Sequence, residues 1–326
     1  MAAAPGWGSD RVGLIIASQM DEGFNAQLRA HPIGPSVIGV SEEQPWEVAN
    51  EADLLLVRPS QAWQRLKTSG RPAVWPGKLR WVYSASVGVD FYPRWLLDAP
   101  LVTCGRGVAS EEIADYVIAA IYLQSKDLES LRARHLSEWK QAPLGRVVGT
   151  TLGIVGLGAI GTAVARRALA LGMRVTAARR RRLPSSVDGV ELLHDLGAVI
   201  ASADHLLLAL PATDATRSLI GGRLLAYAKP TAHLINVARG SVLDQDALVA
   251  ALDAGRLGFA TLDVTDPEPL PAAHPLWSHA RVRLTPHVSS NYTVVRHVLF
   301  DKIAADLGLF VRGEAPSDIV DAAAGY

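Results

Sequence analysis

Thr151-Leu152-Gly153-Ile154-Val155-Gly156-Leu157-Gly158-Ala159-Ile160-Gly161 is a short apolar run that turns through glycines into a helix-forming segment. Leu152–Val155 is short and uniformly apolar, which predicts a strand of a parallel sheet buried on both faces. Helical spacing follows over Ile160–Leu171. Strand, glycine turn and helix are the setting in which a G-x-G-x-x-G pattern carries meaning. Gly156 permits the tight turn, Gly158 lets a ligand approach the backbone, and Gly161 lets helix and strand pack closely. Such a turn presents unpaired N–H groups and a positive helix end to a pyrophosphate. Gly156, Gly158, Ala159, Ile160 and Gly161 are therefore candidate dinucleotide contacts; a glycine-rich turn without ligand is the alternative.

Beyond the turn the alternation continues. Strands are predicted at Val175–Ala178, His205–Leu210, His233–Val237, Phe259–Leu262 and Val282–Leu284, and helices at Arg223–Ala228, Asp244–Ala254 and Tyr292–Leu309. Repeated strand–helix units with short connections predict a doubly wound parallel sheet. The first hundred residues show apolar runs at Val12–Ala17, Leu54–Val57, Trp81–Ser84 and Leu101–Thr103, separated by polar stretches such as Pro32–Pro45 and Lys67–Lys78. They form a second, smaller α/β unit. Between the two lies a long helix opened by Ser110-Glu111-Glu112, with the serine as its cap and Ile113, Val117, Ala120, Ile121, Leu128 and Leu131 on helical spacing up to about Arg134. That helix suits a domain crossover or a dimer interface.

The chain has 326 residues, more than one typical core holds, so two domains are expected. Lysine plus arginine and aspartate plus glutamate number 32 each, so a broad nucleic-acid or anionic-membrane surface is not expected. A single cysteine, Cys104, excludes an intrachain disulfide and reads as a small apolar filler in a reducing compartment. No apolar stretch approaches the roughly 20 residues of a membrane span, and the N-terminus lacks the pattern of a signal peptide. A cytoplasmic protein without a metal site is expected.

About 20 residues beyond the glycine turn, an acidic side chain would bind the ribose 2′-hydroxyl of NAD. Here Arg179-Arg180-Arg181-Arg182 stands instead. Guanidinium groups fork onto phosphate oxygens, so Arg179 and then Arg180 are candidates for a 2′-phosphate, and NADPH is preferred with NAD as the lesser option. A solvated basic loop is the alternative. Three further groups follow strand ends: Arg239 in Asn236-Val237-Ala238-Arg239-Gly240, Glu268 in Asp263-Val264-Thr265-Asp266-Pro267-Glu268, and His287 after Pro286. Arg239 can hold a carboxylate and polarise a neighbouring carbonyl. His287 titrates near neutrality and can deliver a proton, with Glu268 favouring its charged form and fixing its tautomer. Asp263 reads either as a partner for the nicotinamide carboxamide or as a strand terminator.

Asn236–Leu243, Leu262–Leu270 and Leu284–Ser289 resemble the signatures of D-isomer-specific 2-hydroxyacid dehydrogenases, as do Leu210-Pro211-Ala212-Thr213, Gly149–Ala165 and Ser84–Asp90. The resemblance covers most of the chain beyond about Trp81. It implies two Rossmann-like α/β domains, the larger binding the dinucleotide. The substrate domain is expected over residues 1–104, completed by 291–326, with the dinucleotide domain over 105–290. It further implies catalytic roles for Arg239, Glu268 and His287, cofactor contacts at Pro211 and Asp263, a substrate-carboxylate loop at Val87 and Gly88, and a homodimer. Formate dehydrogenases of the family place glutamine where Glu268 stands. The loop at 86–90, the run from Asp263 to Pro271 and the arginines look most like glyoxylate/hydroxypyruvate reductases. Phosphoglycerate dehydrogenases and dinucleotide-binding corepressors are the alternatives. Arg58, after the strand Leu54–Val57, reads as a phosphate ligand or a surface residue. Trp139 reads as a residue reaching a partner's active site or as buried packing.

Overall fold

The computed structural model describes residues 13–180 and 183–326. Arg181 and Arg182 thus lie outside the described residues. Short apolar runs form the strands, and the chain divides into two units. In the first, β1 (Ile15–Ser18), β2 (Ser36–Gly39), β3 (Leu54–Val57), β4 (Trp81–Ser84) and β5 (Val102–Cys104) form a parallel sheet in the order β2-β1-β3-β4-β5. Helices α1 (Glu22–Arg29) and α2 (Gln61–Leu66) connect its strands. Its core is aromatic: Trp63, Trp75, Tyr92 and Trp95 are all buried, with Trp75 and Trp95 crossing edge to face at 5.0 Å.

The second unit is Ala109–Asn291. Helix α3 (Ser110–Lys126) leads into β6 (Thr151–Val155), α4 (Ala159–Ala170), β7 (Arg174–Ala178), β8 (Val190–Leu192), α5 (Leu196–Ser202), β9 (His205–Leu208), α6 (Gly222–Leu225), β10 (His233–Asn236), α7 (Gln245–Asp253), β11 (Phe259–Leu262) and β12 (Val282–Leu284). The sheet order is β12-β11-β10-β9-β6-β7-β8, and every pairing is parallel. The chain runs outward from β6 to β8, then returns to the other side at β9. That reversal makes a crevice at the carboxyl ends of β6 and β9, where ligands of such sheets bind. Helices α3 and α4 cover one face through Ile113, Val117, Ile121, Val164 and Ala168. Leu206, Leu234, Leu248, Leu252 and Leu262 belong to a second core cluster. Helix α8 (Tyr292–Val311) belongs to the first unit again. No described helix is long and apolar enough to cross a membrane.

The two doubly wound parallel sheets agree with the sequence reading, but several details differ. Helix α3 stops at Lys126 rather than near Arg134, because Asp127 turns left-handed at φ 42° while its N–H still bonds Leu123 O. Aspartate is among the few non-glycine residues that tolerate this region. Leu128 and Leu131 consequently lie outside the helix and are exposed. Ser110 is the first helical residue and Ala109 occupies the cap without a side-chain bond, so the serine does not cap the helix. Strands β2 and β8 and helix α5 lie where no element was expected, while α1 and α2 supply the helices of the strand–helix alternation expected, without bounds, in the first hundred residues. The two strands are sheet edges, partly solvated, and such positions need no apolar run.

At the amino ends of the central strands, β9 and β10 bring His205 and His233 together with Nδ1 atoms 3.3 Å apart, and His233 Nε2 lies 2.8 Å from Thr261 Oγ1. Both imidazoles are buried. Burial pulls His205 down to about 4 and His233 well below its ordinary value, so each is neutral in the folded protein. The unfolded chain binds these protons from about pH 6.5 downward, while the folded chain resists the one on His205 until about pH 4 and resists the one on His233 as well. Stability from the pair is therefore full above pH 6.5 and lost as the pH falls toward 4. Thermal unfolding should shift down by several degrees across this window, on the order of 2 kcal/mol. His205→Asn should flatten that slope, and an equal slope in the variant would refute the assignment.

Candidate active site

Parallel register places the chemistry. Asn236, Leu262 and Leu284 are aligned across β10, β11 and β12, so the loops that follow share one sheet edge. Arg239, Glu268 and His287 stand on those three loops. His287 Nδ1 and Glu268 Oε1 are 2.7 Å apart, with the two side chains 39% and 41% exposed. A carboxylate only accepts, so Nδ1 carries a hydrogen toward Glu268 and Nε2 is the atom left for a ligand. The pair is thus oriented and reachable from solvent.

Asp263 builds the backbone beneath this histidine. It is 1% exposed, and its Oδ1 accepts from Thr285 Oγ1 at 2.6 Å and Val288 N at 2.8 Å. Its Oδ2 accepts from Ser289 N at 2.9 Å. The Asp263 carbonyl also takes the His287 N–H at 2.9 Å. His287 sits at φ 54°, a region costly for a residue with a Cβ, and these bonds hold it there. The carboxylate engages the histidine loop on three of roughly four lone-pair sites. Tyr116, from α3, adds a hydroxyl contact of 2.6 Å to Thr285. Neither Thr285 nor Tyr116 was singled out from the sequence; the threonine lies inside a quoted motif, but nothing in the pattern told its hydroxyl from any other.

The Arg239 turn is fixed by Asn236, which is fully buried. Its Oδ1 accepts from Ala238 N at 3.0 Å and its Nδ2 donates to Arg239 O at 3.1 Å. Arg239 itself is half-buried, with NH1 donating to Ala238 O at 2.9 Å. Gly240 then meets the glutamate loop: a Cβ there would lie 1.9 Å from the Thr265 carbonyl carbon. Gln245 clamps the same loop, donating to Asp266 O at 2.6 Å and accepting from Asp266 N at 3.1 Å. Arginine turn and glutamate loop are therefore one packed body.

The glycine turn fits a dinucleotide. Gly156 adopts φ +106°, and a Cβ there would meet Ala209 O at 2.4 Å, the strand-end carbonyl across the crevice. Gly158 has no atom within 4 Å of its missing Cβ, so the turn is hollow where a phosphate group would enter. Helix α4 begins at Ala159 with no side-chain cap and no acidic residue in its first turn, which includes Ile160 and Gly161. Its N–H groups and dipole are thus available to an anion. Pro211 follows β9 across the switch point, its carbonyl accepting from Thr216 Oγ1 at 2.7 Å. Arg179 directly follows β7, half-buried, with NH1 donating to Pro184 O at 3.4 Å, and Arg180 is exposed beside it.

In the first unit, Val87 and Gly88 form the loop after β4. Arg58 follows β3 and forms a 2.5 Å ion pair with Glu42. Trp139 is 81% exposed, so it is not buried packing. Gly240→Ala should be among the most damaging single substitutions, because backbone rather than a flexible side chain fills the space. A melting temperature lowered by less than about 3 °C would show that the two loops separate freely.

Residues 118–289 match the family model described as D-isomer specific 2-hydroxyacid dehydrogenase, NAD binding domain. The chain is 32% identical over 263 residues to glyoxylate/hydroxypyruvate reductase A of Serratia proteamaculans, covering 77% of this chain and 82% of that protein. It is 38% identical over 230 residues to a glyoxylate reductase of Korarchaeum cryptofilum, covering 68% and 69%. A D-isomer specific 2-hydroxyacid dehydrogenase from Xanthobacter autotrophicus, solved in complex with NADPH and MES, superposes with a TM-score of 0.79 at 27% identity over 97% of this chain and 100% of that one. Sequence, fold and strand-edge geometry agree: the chain belongs to the D-isomer-specific 2-hydroxyacid dehydrogenase family of NAD(P)-dependent oxidoreductases.

Proposed function

We propose that the protein reduces a small 2-keto acid of the glyoxylate or hydroxypyruvate kind, with NADPH preferred over NADH. The observation that carries the reading is the 2.7 Å His287–Glu268 pair on the strand edge that also bears Arg239. Protonated His287 gives its Nε2 proton to the keto oxygen, while Glu268 holds Nδ1 and steadies the cation. Arg239 holds the substrate carboxylate and polarises the carbonyl with a charge that does not titrate. The bound nicotinamide supplies the hydride that the keto carbon receives. Carbonyl carbon and oxygen thereby gain a hydride and a proton, leaving a hydroxyl and a neutral histidine that solvent reprotonates.

Arg179 and Arg180 support the NADPH preference, since no carboxylate stands at the end of β7 to repel a 2′-phosphate. The NADPH complex of the Xanthobacter relative points the same way. Asp263 serves chiefly to shape the histidine loop and keeps at most one lone-pair site for the nicotinamide amide. The Glu42 charge on Arg58 counts against a phosphorylated substrate. A homodimer is supported by the exposed Leu128, Leu136, Trp139, Leu144 and Val148 between α3 and β6.

Initial rates of NADPH and NADH oxidation with glyoxylate, hydroxypyruvate, pyruvate, phenylpyruvate and 3-phosphohydroxypyruvate test the assignment. Turnover of the two smallest hydroxylated or aldehydic acids with NADPH is expected; tight cofactor binding without turnover would favour a binding protein instead. His287→Gln should lower kcat by about 10²–10⁴-fold, and an unchanged rate would remove the histidine from the chemistry. The double variant Arg179→Ala, Arg180→Ala should raise the KM for NADPH at least tenfold more than that for NADH, by loss of charge-assisted bonds worth about 1.5–3 kcal/mol. Equal effects on both cofactors would count against the phosphate contact.

A further inference from the structure

The loop after β4 is held from behind by a relay of hydroxyl groups. We propose that Tyr92, Ser84 and Ser86 are positioning residues, which turn the N–H groups of the Val87–Gly88 loop toward the substrate carboxylate. The inference rests on the reductase reading and on the resemblance that implies a substrate-carboxylate role for that loop as well as for Arg239.

Ser84 ends β4 and is 1% exposed. Its Oγ lies 3.0 Å from Ser86 O, 3.1 Å from the Tyr92 hydroxyl and 3.3 Å from Ser86 N. A serine hydroxyl has one hydrogen and two lone pairs. A carbonyl can only accept, so the Ser84 hydrogen goes to Ser86 O. Tyr92 must then donate its own hydrogen to Ser84 Oγ, and Ser86 N–H fills the remaining lone pair. Only one arrangement satisfies all four groups.

The relay continues outward. Ser86 Oγ donates to Gly88 O at 2.8 Å. Gly105 N, just past β5, donates to Ser84 O at 2.9 Å and Ser86 O at 3.2 Å. In a trans peptide the N–H points away from its own carbonyl. Drawing Ser86 O inward therefore turns the Val87 N–H outward, and holding Gly88 O fixes the other side of the loop. Among the described residues, neither Val87 N nor Gly88 N donates to a protein group. Val87 is 39% exposed, so these donors lie on an accessible loop.

Tyr92 is a rigid base for this relay. It is 3% exposed and packs edge-on against Trp63 at 5.5 Å. Burial raises its phenol well above the ordinary value, so the hydrogen stays on the oxygen. Trp63 Nε1 in turn donates to Gln19 Oε1 at 3.0 Å, and the same oxygen accepts Arg58 N at 3.1 Å. One aromatic wall thus braces the ends of β3 and β4 together.

The test separates positioning from simple structural support. Ser86→Ala removes the bond to Gly88 O and leaves Ser84 and Tyr92 in place; Tyr92→Phe removes the donated hydrogen but keeps the ring. Each should raise the KM for glyoxylate and hydroxypyruvate about tenfold, the loss of roughly one charge-assisted bond. Because the loop holds the carboxylate equally before and during reduction, kcat should change less than about twofold. The NADPH KM should not move, and Ser86→Thr should restore the keto-acid KM. Unchanged keto-acid KM in both variants, or a parallel rise in the NADPH KM, would overturn the proposal. Calorimetric titration with oxalate, which carries the carboxylate but has no ketone to reduce, reads the loop without turnover. A protein that reduces no keto acid yet binds oxalate more weakly as Ser86→Ala would lose the reductase reading and keep the loop as a carboxylate site. Equal oxalate affinity in wild type and variant, or none in wild type, would defeat the loop assignment.

Discussion

The buried carboxylate of Asp263 is the interaction on which the candidate site depends. A charged group at 1% exposure is tolerable only when hydrogen bonds replace its water, and here two backbone N–H groups and a hydroxyl do so. All three donors come from the segment around His287. The desolvation cost of the carboxylate is offset only when that segment is folded over it, so burial of Asp263 and the left-handed backbone of His287 occur together. A histidine on an ordinary flexible loop would lose entropy on every encounter with substrate. This one is pre-set, and Glu268 then has a fixed ring to hold.

Close packing extends the same body to the arginine. Gly240 leaves no room for a Cβ against Thr265, and Asn236 and Gln245 clamp the two loops from either side. The candidate site is thus carried by β10, β11 and β12 as one strand edge rather than by three separate loops. This fits the general placement of ligands at carboxyl ends of parallel strands.

Much of this was legible in the sequence, for reasons that differ by element. Strands β3, β4 and β11 match their predicted ranges residue for residue, because centrally packed strands read as largely apolar runs; β12 matches too, although it is a partly buried edge strand interrupted by Arg283. The edge strand β2 did not, since Ser36–Gly39 is largely exposed and carries little pattern. The end of α3 was misplaced because Leu128 and Leu131 continue the apolar spacing while Asp127 breaks the backbone, and a single left-handed residue leaves no periodic trace. Arg239, Glu268 and His287 stood out as a cation, an acid and a base after strand ends. What holds them did not: an asparagine, a threonine or a glutamine clamp is chemically ordinary until the fold shows which backbone group it meets.

Strands β9, β10 and β11 also show how one sheet separates two electrostatic tasks. At the amino ends of β9 and β10, His205 and His233 form a buried pair that reaches Thr261 within β11, and its imidazoles must stay neutral for the fold to hold. Beyond the carboxyl ends, the side chains are half-exposed, and the imidazole of His287 is held by the Glu268 carboxylate at 2.7 Å. Histidine serves both tasks, and the difference is solvation. The protonation state of the buried pair therefore bears on stability, whereas the proton that His287 carries bears on the reduction proposed for it.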